Sequence, residues 1–298
     1  MTVSKSPIAS HGALLDAVRG LRWPATRRVS GGLPGAHRSR MRGTSSEFSE
    51  YRPYRQGDDP RRLDWKLLAR SDRAYIRLAD DHSVLATYVL VDASASMAFP
   101  AGSNAKWEVA QRIALALCSL VHATGDPVAL LVPGPRPVRL APRTRSGTVS
   151  DIARSLQSVT PDGSTPLSPS LDMVPRGARV VIVSDFLGDA GNLLSRARER
   201  VASGGEVHAI HVVAREELDP PRGARLTRDP EQDSVRRPLS DASRAAYLDA
   251  FGQWRAELMA DWRAAGAGFT ALVTDEPLDR VVRRVVAPVD RSMSGSPT

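Results

Sequence analysis

Five short apolar runs constrain this chain more than anything else in it: "LATYVLVD" (85–92), "PVALLVP" (127–133), "ARVVIVSDF" (178–186), "EVHAIHVV" (206–213) and "GFTALVT" (268–274). The first is continuously apolar, as expected of a strand buried on both faces of a sheet, the third reads as a buried strand as well, and the others read as strands beside them. "PVRLA" (137–141) is placed to return beside the second run. Between the runs lie helical patterns at 104–125, 147–159, 190–205 and 241–265, and a last one starting near Pro277, where proline suits the first turn. Strands alternating with helices predict an α/β fold, a doubly wound, mainly parallel central sheet flanked by helices. Hydrophobic residues make up 42% of the chain and aromatics only 5%, so the core is expected to be Val, Leu, Ile and Ala. The lone cysteine, Cys118 in "IALALCSLV", excludes an internal disulfide and reads as a core residue.

Sheets of this kind bind ligands outside the carboxyl ends of their strands. Asp92 and Asp185 sit at such ends. In "YVLVDASASMAF" the strand gives way to Asp92, Ser94 and Ser96 at alternate positions, which point the same way on extended backbone. "PDGSTPLSPSLD" (161–172) adds the hydroxyl of Thr165, and "VIVSDFLGD" (181–189) adds Asp185. Hard divalent cations take oxygen ligands, and Mg²⁺ takes six in near-octahedral array. The competing reading is that Asp92 merely caps the following turn.

These five residues, in this order and context, resemble the metal-ion-dependent adhesion site of von Willebrand factor A domains. The resemblance implies that Ser94, Ser96 and Thr165 ligate a divalent ion directly. It implies that Asp92 and Asp185 bind largely through water, with the last position left to an acidic residue of a partner. Mg²⁺ is the expected ion, with Mn²⁺ or Ca²⁺ as alternatives.

Upstream, "RGTSSEFSEYRPYRQGDDPRRLDWKLLARSDRAYIR" (42–77) carries Arg42-Gly43, Glu47-Phe48, Glu50-Tyr51-Arg52, Tyr54, Gly57-Asp58-Asp59, Arg61, Asp64-Trp65-Lys66 and Ala69-Arg70. This pattern resembles the domain-of-unknown-function-58 family, whose members carry it ahead of a von Willebrand A-like domain. The likeness runs from about residue 28 to 286, and "DEPLDRVVRRVV" (275–286) is similar to the family's closing stretch. Physically, Arg and acidic side chains among Tyr and Trp suggest a salt-bridged, stacked clasp rather than a docking surface. The expected layout is an N-terminal signature segment (1–84), an A-like domain (85–288) and a disordered tail (289–298). The polar stretch 214–240 is expected to be a loop, with "ARLTRD" and "SVRRPL" paired as a hairpin.

Three functions compete. The resemblance implies a non-enzymatic, metal-dependent protein-binding adaptor that works with a MoxR-type AAA+ ATPase in the maturation or remodelling of protein complexes. No G-x-x-x-x-G-K-[ST] loop occurs, so any ATPase is another chain. A metal-dependent hydrolase on the same oxygens is the first alternative. Against it, His11, His37, His82, His122, His208 and His211 show no paired ligand spacing, and no G-x-S-x-G is present. Nucleic-acid binding is the second alternative, prompted by a net charge of +8 and an arginine-rich first quarter. Acids are interspersed among those arginines, which argues against a phosphate-backbone surface. No apolar run approaches the length of a membrane span and no signal peptide is evident, so a soluble, cytoplasmic protein without a membrane anchor is expected.

Overall fold

The computed structural model describes residues 12–25, 34–38, 48–55, 58, 63–71, 73–79, 82–220, 226–228, 236–238 and 241–287. They fall into two compact units, one spanning Pro24–Leu85 and the other joining the chain up to Trp23 with the chain from Ala86 onward.

Helix α1 (Gly12–Ala17) belongs to the second of these units, not to the signature segment in which the sequence places it. Leu14, Val18 and Trp23 are buried in the same apolar cluster as Ile113 and Leu117, which gives the physical reason.

In the Pro24–Leu85 unit, β1 (Pro34–Arg38) pairs antiparallel with β4 (His82–Ser83), and β2 (Phe48–Pro53) with β3 (Tyr75–Ala79). Helix α2 (Trp65–Ser71) is capped by Asp64, whose Oδ1 accepts the Lys66 and Leu67 N–H groups at 3.0 and 2.9 Å. The Tyr51 hydroxyl donates to Asp64 Oδ2 at 2.9 Å, and Arg52 donates to Asp58 Oδ1 at 2.7 Å. Within the unit, Arg52 thus pairs with Asp58, and Asp64 is held by the Tyr51 hydroxyl and the first turn of α2. Arg42, Gly43, Glu47, Gly57, Asp59 and Arg61 lie outside the described residues, as does the expected tail beyond Ala287.

The larger unit contains β5 (Thr87–Val91), α3 (Ala105–Ala123), β6 (Val128–Val132), β7 (Val138–Arg143), α4 (Thr148–Gln157), α5 (Ser168–Asp172), β8 (Arg179–Ser184), α6 (Ala190–Ala202), β9 (Glu206–Val213), α7 (Arg215–Leu218), β10 (Leu226–Arg228), β11 (Arg236–Pro238), α8 (Asp241–Ala264), β12 (Gly268–Val273) and α9 (Leu278–Val286). Six of these strands form one sheet in the order β12-β9-β8-β5-β6-β7. All neighbours are parallel except β7, which returns antiparallel beside β6. Gly125, at φ 82°, ends the turn after α3, where a left-handed residue without Cβ strain is needed. The hairpin expected in 214–240 is present as β10 paired antiparallel with β11.

Alternate strand residues explain why the runs are continuously apolar. Val181 and Val183 join the cluster containing α3, α4 and α9, whereas Val180 and Ile182 join the cluster with α5, α6 and α8. Both faces are covered, so both sets must be apolar. The chain runs outward from β5 through β6 and β7, then crosses back to β8 on the other side of β5. That reversal opens a crevice beyond the carboxyl ends of β5 and β8.

Candidate metal-binding cleft

Three loops meet at this crevice, and backbone hydrogen bonds tie them together. Asp92 N–H donates to Val183 O at 2.9 Å, linking the ends of β5 and β8. Ala95 N–H donates to Gly163 O at 2.8 Å and Asp162 N–H to Ala93 O at 2.9 Å, drawing the α4–α5 loop against the β5 loop. Ser168 Oγ donates to Asp189 Oδ2 at 2.5 Å, tying the start of α5 to the start of α6.

The resulting cleft, about 100 Å³, is lined by Asp92, Ser94, Thr165, Ser184 and Asp189 among others. Ser96 is buried next to it, its Oγ 3.0 Å from Ser94 Oγ. Four of the five expected residues therefore gather at one place. The fifth, Asp185, is buried but does not line the cleft. Its Oδ2 lies 2.6 Å from Lys106 Nζ, at ion-pair distance but without good hydrogen-bond geometry.

Asp92 is held on both oxygens. Oδ1 accepts the Ser94 N–H at 2.9 Å, the turn-capping bond that the sequence also allowed, and Oδ2 accepts the Ser184 hydroxyl at 2.6 Å. Burial, and then the neighbouring Asp185 charge, push its carboxyl up to about 6, against partial relief from Ser184 and Ser94. Burial also acts on Asp189, but bonds from Ser168 and Asn192 outweigh it and hold that carboxyl below its ordinary range. Phe186, just after Asp185, takes φ 57°, a left-handed conformation rare for a bulky residue.

Lys106, Glu217, Ser184 and Asp189 were not among the residues expected at the site. Lys106 could have been found: it shares a helical stripe with Ala110, Ile113 and Leu117, all fully buried, and a buried lysine demands a partner. Its Nζ also lies 2.9 Å from Glu217 Oε1, and Glu217 Oε2 accepts the Ala214 N–H at 2.7 Å. Burial works against the ammonium, yet the Asp185 and Glu217 charges hold its pKa above the ordinary value.

The donors at the cleft are hydroxyls and carboxylates, the set that hard cations accept. Among the described residues no three His, Cys, Asp or Glu side chains form a ligand group. His208 and His211 point to opposite faces of the sheet, as their three-residue spacing requires. His208 meets Trp23 and Thr270, and His211 meets Phe186 and Trp254. Burial, with the Arg179 charge at His208 and the Arg255 charge at His211, pushes both pKa values down to about 3. Cys118 is wholly buried and its thiol is pushed up to about 12.

The family model described as "Protein of unknown function DUF58" matches residues 50–257. The chain belongs to the DUF58 family. Uncharacterized protein Rv1480 of Mycobacterium tuberculosis is 29% identical over 317 residues, covering 99% of each chain. Among solved structures, BatB from Bacteroides thetaiotaomicron is similar at 15% identity and a TM-score of 0.45, over 68% of this chain and 97% of that one. The VWA domain of SpRpn10 is similar at 13% identity and a TM-score of 0.39, over 70% and 98%. In this DUF58 chain the sheet is mainly parallel with one antiparallel edge strand and helices on both faces. Among the described residues no helix is long and apolar enough to cross a membrane.

Proposed function

We propose that this chain is a non-enzymatic adaptor that grips an acidic side chain of another protein through a divalent ion at the β5–β8 crevice. Ser94, Ser96 and Thr165 would supply hydroxyl oxygens, and Asp92 and Asp185 the carboxylates behind them. Mg²⁺ suits such a set, with Mn²⁺ or Ca²⁺ as alternatives. The observation that carries this reading is the meeting of Asp92, Ser94 and Thr165 on one cleft, with Ser96 at hydrogen-bond distance from Ser94.

Neutral hydroxyls leave an ion's charge poorly compensated, which favours an incoming carboxylate. Lys106 strengthens that bias, because its ammonium already neutralises Asp185 and Glu217. The non-enzymatic reading is supported by the burial of His208, His211 and Cys118, none of which lines the cleft. The family resemblance points to a MoxR-type AAA+ ATPase as the partner, which would hydrolyse the ATP while this chain holds it or a client.

The test is complex formation between the purified chain and a co-encoded MoxR-type ATPase, in Mg²⁺ and in EDTA, with wild type and Ser94→Ala/Ser96→Ala. A complex in Mg²⁺ that is lost in EDTA and in the variant is expected. A complex indifferent to both would contradict the metal-dependent reading.

A further inference from the structure

We propose that the partner presents an apolar side chain next to its carboxylate, and that this side chain docks in a groove beside the cleft. This rests on the metal-cleft reading above. The groove, about 230 Å³, lies between the β6–β7 turn and α5, and its walls include Leu131, Pro133, Val138, Pro166, Pro169 and Met173. Small-molecule sites run to about 300–1,000 Å³. The groove therefore suits one side chain rather than a cofactor.

Three observations commit it to an acidic peptide segment of another protein. First, Thr165 and Pro166 line both the groove and the cleft, so a segment seated in one lies against the other. Second, Arg139 lines the groove and Arg136 lies in the same turn. Both are exposed, and neither has an ion-pair partner among the described residues. Their charge complements a segment rich in Asp or Glu. Third, the walls are preformed where prolines restrict the backbone, whereas Met173 is 45% exposed and unbranched, able to fit its side chain to an incoming apolar group. A Leu-, Ile- or Met-type side chain entering here would leave water without displacing any core residue.

The test is an array of short Ser/Gly peptides carrying a Glu, a Leu, both at varied spacing, or neither. It is probed with the intact chain in Mg²⁺ and in EDTA, alongside a Mn²⁺ titration of the chain alone. Peptides carrying both residues should bind about tenfold or more tightly than Glu-only peptides, the worth of burying one aliphatic side chain. Met173→Gln, a change that adds no charge at an exposed position, should remove most of that advantage without changing Glu-only binding. Equal binding of the two peptide classes would overturn the groove while leaving the metal reading intact, provided Mn²⁺ still binds. A leucine advantage that survives EDTA, with no Mn²⁺ bound, would support the groove and overturn the metal reading. Failure of every peptide to bind would overturn the groove, as would a dimer broken by Met173→Gln, since the occupant would then be a second copy.

Discussion

Lys106 Nζ lies 2.6 Å from Asp185 Oδ2, with both side chains almost wholly removed from water. Two carboxylates, on the loop after β8 and on α7, share this one ammonium. Removing one member of a buried ionic cluster strands the others, a loss of about 3–5 kcal/mol. Lys106→Met is therefore expected to destabilise the fold by that order. Adding Asp185→Asn should recover part of the loss. Urea unfolding of the single and double variants checks both, and a near-neutral Lys106→Met would contradict the triad's role.

The pH dependence follows from three buried groups. In the unfolded chain His208 and His211 take up protons near pH 6.5, whereas in the fold they resist protonation to about 3. The unfolded chain then binds more protons, so stability present above pH 6.5 is lost as pH falls. Asp92 acts oppositely: its carboxyl is raised from 3.8 to about 6, so its contribution is present below pH 3.8 and lost as pH rises through 6. Between about pH 4.5 and 6 the two histidines minus the one aspartate leave a net difference of one proton, or about 1.4 kcal/mol per pH unit. Asp92→Asn should roughly double that slope. Urea midpoints across this range in EDTA test it, and parallel slopes for the two proteins would contradict it.

Gly268 is confined by its neighbour across the sheet. A Cβ there would lie 2.2 Å from His208 Nδ1, and that ring is held by Thr270 Oγ1 at 2.9 Å and by the edge of Trp23. Gly268→Ala should cost about 1–3 kcal/mol through overpacking. Thermal unfolding of the variant measures this, and a loss below about 0.5 kcal/mol, the range of a neutral surface change, would mean the ring moves aside freely.

Ser94→Ala/Ser96→Ala removes two buried hydroxyls that bond to each other, so the loss of one is matched by the loss of its partner. Such paired removal is close to neutral for stability. The variant should unfold within about 1 kcal/mol of wild type. A larger loss, seen in denaturant unfolding, would mean that the serines are structural.

Much of the sheet was legible because each strand announces itself. β8 and β9 are buried on both faces and so could not alternate, and β7 follows its partner after a short proline-rich turn. Asp92 and Ser94 were legible because strand ends in such a sheet converge on one edge, whereas Thr165 lies between two helices and was reached through its Gly-Ser-Thr loop and the adhesion-site resemblance. Lys106, Glu217 and Asp189 were harder to find, since each is joined to the site by a contact distant in sequence. The pairing of Lys106 with Glu217 spans 111 residues and leaves no local pattern. Helix α1 was assigned to the wrong side of a boundary because proximity in sequence outweighed the burial of Leu14, Val18 and Trp23.

The central claim is that the oxygens at the β5–β8 crevice hold a divalent ion. Its most direct measurement is a titration of the metal-free chain with Mn²⁺, following the free ion by electron paramagnetic resonance. The account predicts one saturable site per chain, competed by Mg²⁺ and lost in Ser94→Ala/Ser96→Ala. No saturable binding, or binding unchanged in that variant, would contradict it.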